Sequence, residues 1–245
     1  MTAILEIENI TRRFGGITAV SDCSMTVQAG SITGLIGPNG SGKTTLFNVI
    51  TGIYPPDQGS VRLKEQRISG LRSSQICNCG LSRTFQITRL FWDLTVLENM
   101  IVPIRQIGVR ALFGAGMYSH EADRAVALLA RVGLDHLKDQ PARKLSFGQQ
   151  KLLEFAAILM ADPEVVLLDE PAGGVNPTMI RFIMDLIRTL NDQQNITFLI
   201  VEHNMGLVME LCHNIVVLNY GEKIAEGSPS DIQANPLVLD AYLGN

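Results

Sequence analysis

Apolar and polar residues alternate along "ILEIENI" (4–10), and "CSMTVQ" (23–28) and "SITGLI" (31–36) are similar short runs, with Ala29-Gly30 as a turn between the last two. Alternation at period two is the signature of half-buried strands, so the opening is expected to be β-rich. From Lys43 to Thr51 the pattern becomes helical, and after the Pro55-Pro56-Asp57 break "SVRL" with "QRIS" predicts a short hairpin. Between about 88 and 160 the period changes. Ala125, Leu128, Leu129 and Val132 fall at i, i+3, i+4 and i+7, which predicts an amphipathic helix with Glu121 and Asp123 in its first turn and Gly133 at its end. The second half alternates "EVVLLDE", a helix capped by Asn176 with Pro177 at its first position, "ITFLIV", another helix and "NIVVLN". Apolar β-branched strands separated by helices indicate a parallel sheet covered on both faces. The expected fold is therefore α/β: a mainly parallel sheet, a β-rich flank at about 1–35 and 59–70, and a helical subdomain at about 88–160, in one domain of 1–245.

Composition narrows the partners. The 245 residues carry a net charge of −4, so no global attraction to nucleic acid or to an anionic membrane surface is expected, and any anion site must be local. The four cysteines, Cys23, Cys77, Cys79 and Cys212, make no CxxC pair and no ligand spacing with the four histidines, which favours free thiols over disulfides or zinc. No basic segment followed by an apolar one opens the chain, and no run of about 18 apolar residues occurs, so neither a signal peptide nor a membrane span is expected.

The strongest chemical signal is "GPNGSGKTT": Gly37, Pro38, Asn39, Gly40, Ser41, Gly42, Lys43, Thr44 and Thr45 match GxxxxGK[ST] between an expected strand and an expected helix. Backbone N–H groups of such a turn converge on phosphate oxygens, the lysine reaches the β- and γ-phosphates, and the first threonine ligates magnesium. "VVLLDEP" then delivers Asp169 and Glu170 to the carboxyl end of a buried strand, where open α/β sheets bind ligands. Next to a phosphate loop, one carboxylate suits a metal and the other an attacking water; in isolation the pair could equally cap a turn. His203 ends the strand "TFLIVEH". A lone histidine there is often structural, but side-by-side strand ends would place it against the carboxylates. In "LSFGQQ", Ser146 and Gln149 have capping-box spacing, with Phe147 and Gly148 between them, ahead of the apolar helix "KLLEFAAILM". A capped helix needs nothing more, yet a helix N-terminus beside a glycine also attracts anions.

In this order and spacing, "GPNGSGKTT", "LSFGQQ", "VVLLDEP" and "LIVEH" resemble the nucleotide-binding subunit of ABC transporters over essentially the whole chain. The resemblance implies ATP and Mg2+ as cofactors and a site split between two such subunits, as a homodimer or with a second ABC ATPase. The "LSFGQQ" turn of one would close over the γ-phosphate held by the other, so that ATP binding joins the pair and hydrolysis releases it. It also implies that Phe14, in "TRRFGG", stacks on adenine with Val20 packing alongside, that Gln86 in "SRTFQ" reaches magnesium together with Thr44 and Asp169, and that "AGGVN" (172–176) crosses the dimer interface. Phe147 stands where the family usually has glycine, and Asn176 where it usually has aspartate; both bear on dimer coupling rather than on catalytic groups. Leu90, Phe91 and Trp92 fall where the family receives a cytoplasmic helix of a membrane subunit.

Within the family, "LSFGQQKLLEFAAILMADP", "DEPAGGVNP", an insert of about twenty residues before the amphipathic helix, and the ending "VLDAYLG" resemble the ATPases of branched-chain amino acid importers. Such ATPases sit on the cytoplasmic face of the membrane with two permease subunits, and meet a substrate-binding protein only indirectly. A lipopolysaccharide-export ATPase is similar but is disfavoured by "AGGVNP" and the insert. A soluble ABC ATPase acting on DNA or ribosomes is disfavoured by the acidic charge and the lack of a basic tract.

Overall fold

A computed structural model describes residues 2–84, 90–103 and 115–243, without the side chains of 115–119 and 243. The opening strands are longer than the alternating runs: β1 (Ala3–Phe14) and β2 (Ile17–Gln28) pair antiparallel, and with β4 (Gln58–Leu63) and β5 (Gln66–Arg67) they form a four-stranded sheet in the order β2-β1-β4-β5. β3 (Ile32–Ile36) does not belong to this flank, although its residues lie in the segment expected to be part of it. It sits inside a second sheet of order β10-β9-β3-β8-β7-β6, with β6 Leu81–Arg83, β7 Val165–Asp169, β8 Thr197–Val201, β9 Asn214–Asn219 and β10 Glu222–Gly227. From β9 to β6 the pairing is parallel, and β10 closes one edge antiparallel.

Every residue of β3, β7 and β8 is buried, which follows from their two covered faces. Side chains alternate between two cores: Ile36, Val166, Leu168, Phe198, Ile200, Ile215 and Val217 face one, while Leu35, Val165, Leu167, Leu199, Val201, Val216 and Leu218 face the other. Helices cover the first core: α3 (Val96–Ile101), α4 (Ala115–Arg131), α5 (Phe147–Leu159), α6 (Pro177–Gln194) and α7 (Met205–Leu211). The second is closed by α1 (Lys43–Ile50), by α2 (Ser73–Asn78) through Ile76, and by the inner face of the antiparallel sheet. The chain ends in α8 (Pro229–Ala234) and α9 (Pro236–Leu243).

The amphipathic helix begins earlier than expected. α4 starts at Ala115, so Glu121 and Asp123 stand beyond its first turn, while Ala125, Leu129 and Val132 are buried and Gly133 terminates it at φ 69°. Acidic residues within a helix look the same in sequence as an acidic first-turn pair. Leu90 is buried in the helical core, unlike its neighbours Phe91 and Trp92, which are 54% and 45% exposed. Most of the expected insert falls outside the described residues.

Candidate nucleotide site

β3 runs straight into the glycine loop, and α1 leaves it at Lys43. Two glycines there are sterically required. Gly37 has φ 149°, and a Cβ on it would stand 2.0 Å from the Leu218 carbonyl of β9. Gly42 has φ 102°, and its Cβ would meet the Ala19 carbonyl at 2.4 Å. Gly40 has nothing within 4 Å, which leaves its backbone open to a ligand. Asn39, Gly40 and Thr44 are exposed, Pro38 and Thr45 half-buried, Ser41 buried. The Lys43 ammonium is folded into the loop, donating to the carbonyls of Gly37 and Pro38 at 2.8 Å each and to Ser41 Oγ at 3.3 Å. Burial pushes its pKa below the ordinary lysine value, and Glu170 and then Asp169 oppose that shift. A desolvated cation held by neutral dipoles is poised for an anion.

Adjacent parallel strands β7 and β8 bring the other groups together. Asp169 is opposite Val201, the Glu170 amide donates to the Val201 carbonyl at 2.9 Å, and His203 Nε2 stands 2.8 Å from Glu170 Oε1. Glu170 has φ 51°, a left-handed conformation costing about 1–2 kcal/mol in a residue with a Cβ. Its strained backbone is held, for the Gly173 amide donates to the Glu170 carbonyl at 3.0 Å and Lys151 Nζ at 2.9 Å.

Asp169 is buried, and its Oδ2 accepts Arg83 Nη2 at 2.6 Å. Asp169 Oδ1 is buried without a hydrogen-bond partner among the described residues. A buried carboxylate oxygen left with open lone pairs fits a hard divalent cation, and the exposed Thr44 hydroxyl supplies a second oxygen donor. Gln86, the third expected ligand, lies outside the described residues.

At the start of α5 the capping box forms as its spacing indicates: Ser146 Oγ accepts the Gln149 amide and Gln149 Oε1 accepts the Ser146 amide. Ser146 and Phe147 are exposed, Gly148 and Gln149 half-buried. Asn176 is the cap of α6, its Oδ1 accepting the Met179 amide at 2.9 Å.

The adenine side departs from expectation in one respect. Phe14 is 39% exposed, packs edge-on against Tyr54 with ring centroids 5.1 Å apart, and carries the Arg12 guanidinium 4.8 Å above its centroid. Val20 has no exposed surface and packs beside Gly42, so it supports the phosphate loop rather than offering a face to a base.

Three residues that brace the site carry no motif. Arg83 joins β6 to Asp169 and, through Nη1, to Asn48 Oδ1 at 2.6 Å and Thr51 Oγ1 at 3.1 Å on the α1 side. Glu202 is buried and accepts the amides of Ala172, His203 and Asn204 at 2.7, 2.9 and 3.1 Å, bracing the loops that carry Glu170 and His203. Lys151 is the third. The available signal was a charged residue adjoining each motif: Arg83 in "SRTFQ", Glu202 before His203, Lys151 after "LSFGQQ".

A glycine loop opening a helix and two acidic strand-end residues beside a histidine define a phosphate-handling NTPase of the P-loop type. The ABC transporter family profile matches residues 20–173, and a branched-chain amino acid ATP-binding cassette transporter profile matches 222–245. The chain belongs to the ABC transporter family, as one of its ATP-hydrolysing cassettes. It is 40% identical over 249 residues to the high-affinity branched-chain amino acid transport ATP-binding protein LivG of Salmonella typhimurium, covering 98% of each chain. The ADP conformation of an ABC transporter cassette superposes with a TM-score of 0.87 at 34% identity, covering all of both chains. A dimeric bacterial ABC transporter cassette does so with 0.80 at 25% identity, over 92% of this chain and 99% of that one.

Proposed function

We infer that this chain binds and hydrolyses ATP, with Mg2+, to drive import of branched-chain amino acids, as a peripheral subunit on the cytoplasmic side of a membrane. The observation that carries the ATPase reading is the convergence of Lys43, Asp169, Glu170 and His203 on the carboxyl ends of β3, β7 and β8, with His203 bonded to Glu170 at 2.8 Å. The substrate class rests on the 40% identity to LivG and on the match at 222–245.

In the reaction, Lys43 exchanges the Gly37 and Pro38 carbonyls for β- and γ-phosphate oxygens, while loop amides and the α1 N-terminus supply further donors. Thr44, Asp169 through Oδ1, and Gln86 would hold magnesium, which neutralises phosphate charge when bound. Glu170 accepts the proton of the attacking water, and His203 Nε2, which meets the Glu170 carboxylate here, orients that carboxylate or turns its single N–H to the γ-phosphate. Phe14 stacks on the adenine. Ser146, Phe147, Gly148 and Gln149 face the nucleotide of a second cassette, a copy of this chain or a sister ATPase. The exposed Phe91 and Trp92 offer an aromatic surface to one of two permease subunits, which alone contact the substrate-binding protein. Among the described residues no helix is long and apolar enough to cross a membrane, so membrane attachment is assigned to those partners.

Glu170→Gln is expected to bind ATP and accumulate a dimer, with turnover reduced at least about 100-fold; Lys43→Ala is expected to lose nucleotide binding. Turnover by Glu170→Gln at the wild-type rate would remove Glu170 as base. For the transport assignment, pull-down from solubilised membranes should recover two multi-pass proteins and a second ATPase. Recovery of ribosomal or DNA-repair proteins instead would overturn it.

A further inference from the structure

We propose that Lys151 is a positioning residue for hydrolysis: from the first turns of α5 it holds the Glu170 peptide in its left-handed conformation and so aims the carboxylate. The inference rests on Glu170 being the base of the proposed reaction.

Lys151 stands one turn beyond the capped "LSFGQQ" turn, yet its Nζ leaves the helix and donates to the Glu170 carbonyl across the space between α5 and the end of β7. The position is costly for an ammonium. Burial lowers its pKa, opposed in decreasing order by Glu202, Glu154, Glu170 and Asp169, the carboxylates that face it. Phe147 covers it from outside, with Lys151 Nζ 5.5 Å from the ring centroid. The same ring presses on the loop after Glu170: a Cβ on Gly174, at φ 73°, would stand 2.9 Å from Phe147 Cε1. Gly173 is close-fitting too, with its notional Cβ 3.2 Å from the Glu170 carbonyl and 3.6 Å from Lys151 Nζ.

Two members of α5 thus grip the 170–174 loop, one by a charged hydrogen bond and one by packing. The helix that offers Ser146 and Gly148 to a second cassette is thereby tied, within its own chain, to the base of its own site. Phe147, at the position usually held by glycine, covers this link with its ring. The Gly173 amide also occupies the Glu170 carbonyl, so removing Lys151 does not leave that carbonyl unpaired. What disappears is the constraint on a strained peptide whose side chain performs the chemistry.

The test uses the purified full-length chain with Lys151→Met and Lys151→Arg. It measures kcat and KM for Mg-ATP, equilibrium binding of a fluorescent ATP analogue without turnover, and thermal unfolding. For Lys151→Met we expect kcat to fall about 10–100-fold, as for a displaced catalytic group, with KM and analogue affinity within about threefold of wild type. Lys151→Arg, which keeps a cationic donor, should recover most of the loss. A kcat within about twofold of wild type would overturn the proposal, as would an equal loss of nucleotide affinity, or arginine performing no better than methionine. Should the methionine variant not fold, Lys151→Gln, whose side-chain donor ends one bond short of the lysine ammonium, must show a kcat deficit at unchanged KM. Glu170→Gln run in parallel separates the two ideas: its full turnover would remove the base assignment, whereas its inactivity beside an unaffected Lys151→Met would remove only the positioning role.

Discussion

At the scale of single residues, Arg83 and Asp169 form the buried ion pair that holds the end of β7. Their side chains are 6% and 2% exposed, so neither charge is repaid by water, and each relies on the other. Arg83→Met would leave the Asp169 carboxylate buried beside a thioether, which costs about 3–5 kcal/mol when a buried pair is broken from one side. Combined with Asp169→Asn, the loss should be smaller than the sum of the two single losses, because the stranded charge is gone. Denaturant unfolding of the three variants measures this. A loss below about 1 kcal/mol for Arg83→Met would mean that the pair is not the anchor its geometry indicates. The motif residues were legible in sequence because their spacing is fixed by a small ligand: Lys43 must follow Gly37 by six, and Asp169 must precede Glu170. Arg83, Lys151 and the Glu202 contact to Ala172 were not, since they act across 19 to 86 positions on a carboxylate, a backbone carbonyl or an amide brought near by the sheet. No local pattern records such a contact.

At the scale of elements, two helix starts carry the motifs that the proposed function sets against a second cassette, and both are secured by capping rather than by charge. Ser146→Ala removes the acceptor for the Gln149 amide and should cost about 1 kcal/mol. Asn176→Asp keeps an acceptor for the Met179 amide and adds a negative charge at the positive end of α6, so its stability should be unchanged or higher by a few tenths of a kcal/mol. Urea unfolding checks both; a destabilisation above about 1 kcal/mol for Asn176→Asp would show that the carboxylate meets an opposing field. With stability unchanged, any altered ATP-dependent dimerisation of that variant belongs to the interface. The capped helices and buried strands were the most legible elements, because a cap and a β-branched run each leave a local trace. α4 begins earlier than its acidic pair indicates and β3 belongs to the parallel sheet, because acidic residues within a helix look like a first-turn pair and sheet partners such as β8 and β9 leave no local trace.

At the scale of the whole molecule, the two buried thiols report on the two cores that sandwich the main sheet. Cys23 lies in the core closed by the antiparallel sheet and α1, and burial pushes it up to about 11; Cys212 lies in the helical core against Gly34, pushed up to about 12. Both ordinarily titrate at 9.0. Above that pH the unfolded chain has released these protons while the folded chain retains them. Their contribution is therefore complete below pH 9.0 and is lost as pH rises toward about 11 for Cys23 and about 12 for Cys212, at up to about 1.4 kcal/mol per pH unit for each thiol. Lys43 and Lys151 act in the opposite sense, since their lowered values make the folded chain the poorer proton binder below 10.5. The thiol contribution itself should fall between pH 9 and 10.5, and comparison with cysteine variants isolates it. If residues 1–245 unfold as one cooperative unit, as a sheet shared by both cores requires, Cys23→Ala and Cys212→Ala should each flatten that fall in a single transition seen alike by every probe. Flattening confined to one of two separate transitions would mean that the antiparallel flank and the helical layer unfold independently, and that the sheet between them does not transmit cooperativity.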